Sequence, residues 1–166
     1  MESPRPAALP PEQFAASLPR KRMGAGALFR DTAGRVLLVE PTYKPTWEIP
    51  GGIVEKEESP HAACRREVAE ELGLDRPVRR VLAIDWVPSR PELSEGLMLV
   101  YDGGVLSDRD VTAIRLPAEE LASYAFVEPE RVGDLANARL ARRIAACLEA
   151  VAAGTPVLLE NGHPIS

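Results

Sequence analysis

The apolar positions of this chain fall mostly in short runs separated by turn residues, with one long amphipathic stretch near the end. Met23 to Phe29 alternates small and apolar residues, and Val36 to Val39 is a β-branched and leucine run. The turn residues Asp31-Thr32-Ala33-Gly34 lie between them, so the pair reads as a hairpin. Pro41 to Pro45 is a loop that leads to Trp47-Glu48-Ile49-Pro50. Ser59-Pro60 then opens a helix, with serine as cap and proline at the first helical position, and Gly73 closes it. Cys64, Val68 and Leu72 recur at four-residue spacing and give that helix one apolar stripe.

Further along, Val78 to Val87 and Gly96 to Tyr101 read as strands around a loop from Pro88 to Glu95. Asp102-Gly103-Gly104 reads as a turn, Val111 to Leu116 as another strand, and Pro117 to Leu121 as the opening of a short helix. Phe126-Val127 precedes a second helix-start pattern at Glu128-Pro129-Glu130. Leu135 to Ala153 is the longest helical signal, with Leu140, Ile144, Cys147, Leu148 and Val151 as its buried stripe and Gly154 as its stop. Pro156 to Leu159 and Asn161-Gly162 suggest a last strand and turn. Strands and helices that do not strictly alternate predict an α/β fold with a mixed sheet between helices.

One face of the mid-chain helix is not explained by packing. Glu67, Glu70 and Glu71 stand at i, i+3 and i+4 and project from one side. Each such like-charge pair costs a few tenths of a kcal/mol. Either the face is solvated, with Arg65 and Arg66 neutralising part of it, or a hard divalent cation such as Mg2+ or Mn2+ sits among the oxygens.

The spacing around this face is specific. Gly52 is followed by five residues, Glu58, seven residues, Arg66-Glu67-Val68, one residue, Glu70-Glu71, one residue and Gly73-Leu74. This resembles the Nudix box at every defined position, and Trp47 to Gly51 is similar to its usual lead. The resemblance implies a Nudix-type α/β/α sandwich with a mixed β-sheet. It also implies hydrolysis of a phosphoanhydride bond in a nucleoside diphosphate linked to another group, such as a nucleoside triphosphate or a nucleotide-linked metabolite. ADP-ribose and nucleotide sugars are alternatives; Pro88 and Pro91 lie near the place where ADP-ribose-cleaving relatives tend to carry a proline. A module that binds nucleotides without cleaving them is the alternative of another class, and the intact glutamate set disfavours it.

By the same resemblance Glu67, Glu70 and Glu71 are the expected ligands of Mg2+, with Mn2+ possible, and a backbone oxygen near Gly51 or Gly52 is a further donor. Glu67 is also a candidate to activate water, Arg66 to orient a carboxylate, and Glu58 to partner Arg66; Gly52, Glu58 and Gly73 are structural. Some relatives place the general base in a loop before a late strand. Asp110, just before Val111, is the candidate for that role, with Asp108 and Glu95 as alternatives, although each also reads as a solvated turn carboxylate. Tyr43 and Trp47 could stack on a base, while Trp47 reads equally well as core. His61 falls beside the apolar stripe, so it is not expected to be a ligand.

Composition narrows the partners. A chain of 166 residues fits one domain with a core. A net charge of −5 argues against a nucleic-acid polymer or an anionic membrane as partner, but not against a small nucleotide substrate held through a metal. No run is apolar and long enough to span a membrane, and the N-terminus lacks a secretory core, which points to the cytoplasm. Cys64 and Cys147 both fall in helical patterns and read as buried thiols. The expected organisation is a flexible proline-rich segment over 1–19, a hydrolase domain over 20–154 and a tail over 155–166. The first segment is either dispensable or a dimer-contact arm, which leaves a homodimer possible.

Overall fold

The computed structural model describes residues 9–165. Residues 1–8 of the proline-rich segment lie outside them. In chain order the elements are α1 (Pro11–Ser17), β1 (Arg22–Arg30), β2 (Val36–Pro41), β3 (Gly51–Ile53) and α2 (Pro60–Leu72). β4 (Val81–Val87), β5 (Gly96–Val105), α3 (Asp108–Ala113), β6 (Leu121–Val127) and α4 (Val132–Leu135) follow. The chain ends with α5 (Ala138–Ala153), β7 (Val157–Glu160) and β8 (His163–Pro164).

The strands form one mixed sheet in the order β6-β2-β1-β5-β4-β7-β8, with β3 added to β1. β1–β5 and β4–β7 run parallel and the remaining pairs antiparallel. Side chains of a strand alternate between faces, so each central strand feeds two cores. Ala25, Ala27 and Phe29 of β1 join Cys64, Val68 and Leu72 of α2 on one side. Leu28 joins Leu140, Ile144 and Cys147 of α5 on the other. Both faces are covered, which is why β1 and β2 are apolar almost throughout rather than alternating. The layers are helix, sheet, helix.

Several boundaries differ from the sequence reading, each for a local reason. Val111 begins no strand: Ser107 and Asp110 form a capping box that starts α3 instead. Pro117 to Glu120 is a turn closed by Leu121 N–H to the Pro117 carbonyl, and the strand begins at Leu121. Gly103-Gly104 does not turn the chain. It marks a bulge in β5, where Leu28 faces Asp102 and Phe29 faces Gly104. A Cβ on Gly103 would lie 2.5 Å from the Phe29 ring, so only glycine lets the strand pass there.

The long C-terminal helix is divided. α4 ends before Asn137, whose side chain caps α5 by accepting from Leu140 N–H at 3.0 Å. Leu140, Ile144 and Cys147 are buried as expected, while Leu148 and Val151 are only partly so. Residues 157–164 are not a tail outside the domain, because β7 pairs with β4 and carries the sheet past residue 154. Among the described residues no helix is long and apolar enough to cross a membrane.

Candidate active site

α2 is fixed at both ends and along one side, which sets the direction of its glutamates. Ser59 accepts from Ala62 N–H at 3.1 Å, and Gly73 adopts the left-handed conformation, with φ 67°, that ends the helix. Ala63, Cys64, Val68 and Leu72 are buried against the sheet. Burial also pushes the Cys64 thiol up to about 12, and Cys147 likewise, so neither is a nucleophile near neutral pH.

On the other side Arg66 organises the carboxylates. Its Nε and one terminal nitrogen form a fork to Glu58, at 2.9 and 3.0 Å. The other terminal nitrogen donates to Glu67 at 2.8 Å and to Glu70 at 3.1 Å, and Nη2 also reaches the Ile53 carbonyl at 3.1 Å. These contacts use the whole guanidinium donor set. The hydrogen bonds from Arg66 hold the Glu58 carboxyl below the ordinary carboxylate range.

Glu67 and Glu71 are perturbed the other way. Burial raises Glu67, opposed by Arg66 and assisted by repulsion from Glu70 and Glu120. Burial pushes Glu71 up to about 7; the Gly51 N–H, at 2.8 Å, pulls it down, while Glu67, Glu120 and Glu48 add repulsion. Gly51 and Gly52 make this close approach possible. A Cβ on Gly51 would lie 2.4 Å from the Ala25 carbonyl oxygen, and one on Gly52 would lie 2.4 Å from Glu67 Oε1. The observed contact of Gly51 with the site is through its N–H.

Among the described residues no three His, Cys, Asp or Glu side chains are gathered as a ready cation cage. Arg66 engages Glu67 and Glu70, and Gly51 engages Glu71. The donor chemistry nevertheless fits a hard divalent ion: the groups are carboxylate oxygens, and two of them are held in mutual repulsion that a cation would relieve.

Beside the carboxylates lies a cavity of about 300 Å³. Glu71 and the Gly51–Ile53 strand line one part, β1 and β5 another, and the first turns of α5 a third. Tyr43, three-quarters exposed, and Lys44 contribute from the loop after β2, with the Lys44 ammonium 5.5 Å from the Tyr43 ring centre. Trp47 is not part of this lining. It packs against the α5-side core, and its backbone N–H bonds the Leu135 carbonyl.

The NUDIX domain family model matches residues 20–148. The chain belongs to the NUDIX family. Among curated proteins it is similar to an RNA pyrophosphohydrolase of Gluconacetobacter diazotrophicus, 34% identical over 82 residues, a match covering 44% of this chain and 48% of that protein. The matched stretch thus spans about half the length of that relative. Among solved structures it is similar to a MutT protein from Methanosarcina mazei Go1, with TM-score 0.64, 23% identity, and coverage of 83% of this chain and 99% of that one. An ADP-ribose pyrophosphatase from Streptococcus suis 89-1591 superposes with TM-score 0.63 and 23% identity, covering 85% of this chain and 99% of that one. At these identities the structural likeness concerns the fold.

Within the NUDIX domain the remaining expected residues separate. Asp110 lies apart from the cavity. It accepts from Ser107 N–H at 2.9 Å, from Ser107 Oγ at 2.7 Å, and from Arg76 at 3.1 Å, so it is a helix cap. These partners, Ser107 above all, hold its carboxyl below the ordinary range. Asp108 is exposed in the first turn of α3, and Glu95 is tied to Lys21 and to Trp86 Nε1. His61 contacts the Val78 carbonyl and the Tyr101 ring.

Glu120 was not anticipated. It stands in the turn just before β6, anchored by Thr42, whose N–H and hydroxyl donate to its carbonyl, and its charge bears on both Glu67 and Glu71. Glu120 also stands in a loop before a late strand, the kind of place where Asp110 is expected from the sequence. The strand that the sequence suggests at Val111 begins at Leu121 instead, so the residue just ahead of it is Glu120 rather than Asp110. The cavity arginines, Arg22, Arg90, Arg139 and Arg143, were missed as well.

Proposed function

We propose that this chain is a metal-dependent pyrophosphohydrolase that cleaves a phosphoanhydride bond in a nucleoside diphosphate linked to another group. The observation that carries the reading is the repelling set of Glu67, Glu70, Glu71 and Glu120 beside a cavity that also presents cationic side chains. A cation held by these carboxylates would bind a diphosphate there, with the rest of the substrate extending into the cavity.

Glu67, Glu70 and Glu71 would hold Mg2+ or Mn2+ through hard oxygens. When bound, such a cation neutralises diphosphate charge and lowers the pKa of a coordinated water. Arg66, anchored by Glu58, keeps the Glu67 and Glu70 carboxylates oriented. Glu120, outside the box and facing the same charge cluster, is the general base and takes the proton of the attacking water on its carboxylate. The exposed Tyr43 ring offers a stacking surface at the cavity for a planar group. The substrate class is a nucleoside triphosphate or nucleotide-linked metabolite, including ADP-ribose and nucleotide sugars.

Product analysis with Mg2+ across nucleoside triphosphates, ADP-ribose, dinucleoside polyphosphates and nucleotide sugars tests this. One group should be cleaved at the anhydride, and Glu70→Gln should lose activity by orders of magnitude while keeping its fold. Tight nucleotide binding with no turnover on the panel would refute hydrolysis and leave a binding module.

A further inference from the structure

The protein is acidic overall, with a net charge of −5. Its cavity is nevertheless lined by Arg22, Arg90, Arg139, Arg143 and Lys44. Two of these charges are already answered. Arg143 is bonded at 2.7 and 2.8 Å to Asp85, which is fully buried and also accepts from Gly162 N–H. Lys44 pairs with Glu48 at 2.8 Å.

The other three have no carboxylate partner among the described residues. Arg22 spends its Nε on the Ser94 carbonyl at 2.6 Å, and its side chain lies across Gly96, where a Cβ would sit 2.6 Å from its Cγ. Arg90 is exposed on the loop after β4. Arg139 is half-buried in the first turn of α5, a helix of 16 residues whose N-terminal residues Asn137, Arg139 and Leu140 all line the cavity.

The charges that bear on Arg139 are Arg143 and Arg90 on one side and Asp85 and Glu48 on the other. Burial, then the two arginines, lowers its pKa despite both carboxylates. A half-buried guanidinium at a positive helix end, with two further arginines bearing on it, is unfavourable unless an anion enters.

We propose that Arg22, Arg90 and Arg139, at the N-terminus of α5, form an anion subsite for a phosphate group of the substrate other than its scissile pyrophosphate. The inference rests on the hydrolase reading and narrows it to substrates that carry a second phosphorylated moiety. Three forked donors and a helix N-terminus suit phosphate oxygens, and a neutral sugar would leave the arginines unanswered. The second phosphate is either a terminal monoester or a phosphodiester of a short nucleotide chain, since both present anionic oxygens to guanidinium donors.

The test uses pairs that differ only in that phosphate: ADP-ribose against its analogue phosphorylated on the distal ribose, and a nucleoside triphosphate against a 5′-triphosphorylated dinucleotide. Binding to the Glu70→Gln protein is measured by calorimetry, and kcat/KM is measured on the native protein. At least one pair should favour the phosphorylated member by about tenfold or more, as expected for one charge-assisted contact. The pair that shows it identifies the source. Arg139→Ala and Arg90→Ala should each shrink that ratio, and added salt should shrink it too. Arg90 is exposed, so its variant keeps the test open even where Arg139→Ala fails to fold. A ratio near one in both pairs, or a ratio that both variants leave intact, overturns the subsite. The calorimetric ratio is read without turnover, so a failure of hydrolysis is distinguishable from a failure of the subsite.

Discussion

Replacing Glu71 with glutamine should stabilise the metal-free protein at alkaline pH while destroying its activity. The carboxyl of Glu71 is pushed from an ordinary 4.5 up to about 7, first by burial and then by its acidic neighbours. A carboxyl that holds its proton more tightly folded than unfolded contributes stability that is fully present below about pH 4.5. That contribution is lost as pH rises through about 7, where the folded state must also carry the charge. At 1.36 kcal/mol per pH unit the full displacement corresponds to roughly 3 kcal/mol, and relaxation around the charge leaves about 1–3 kcal/mol.

Glutamine carries no charge, and its carbonyl can still accept the Gly51 N–H. With a chelator present, Glu71→Gln should therefore match the native protein near pH 5 and exceed it near pH 8. A chain of this length shifts by about 2–4 °C per kcal/mol, so the gain is about 2–12 °C in Tm. Thermal unfolding followed by circular dichroism at the two pH values reads it directly. Mg2+ should raise the Tm of the native protein more than that of the variant. A variant no more stable than native at pH 8, or equally stabilised at both pH values, would refute the claim that Glu71 is a charge the bare fold tolerates poorly.

Gly52→Ala should lower kcat/KM by about 100-fold, with a smaller effect on Tm, because the new methyl falls on the Glu67 carboxylate and displaces it; steady-state kinetics beside a melting curve separates the two effects. Glu120→Gln should reduce kcat by about 100-fold or more and remove the acidic limb of the pH–rate profile, and an unchanged profile would exclude it as the base. Asp110→Asn should cost about 1 kcal/mol through its weakened cap and its lost charge toward Arg76, with kcat/KM kept within a factor of about two; a large loss of rate in chemical-denaturation-matched samples would contradict its role as a cap.

What the sequence by itself determined was local. The run from Ser59 to Gly73 carries its own cap, its own stop and its own apolar stripe, so the helix and the direction of Glu67, Glu70 and Glu71 follow from spacing alone. The same holds for β1, β2 and the body of α5, where burial on both faces or on one stripe leaves a plain hydrophobic pattern. The pairing of Arg66 with Glu58, eight residues apart, was legible only through the resemblance of this stretch to the Nudix box.

Elsewhere local chemistry was ambiguous. Pro117-Ala118-Glu119-Glu120-Leu121 suits a helix start as well as a turn, and only the pairing of β6 with β2 decides for the turn. That pairing also carries Glu120 toward the box and leaves Asp110 as a cap. The cavity arginines could not be seen at all from spacing. Residues 22, 90 and 139 are far apart along the chain, and each alone looks like a solvated charge. They meet because β1, β5 and β4 are neighbours in the sheet and α5 packs across them. Which charges have partners is settled by strand order and helix docking, which depend on long-range burial rather than on any local signal.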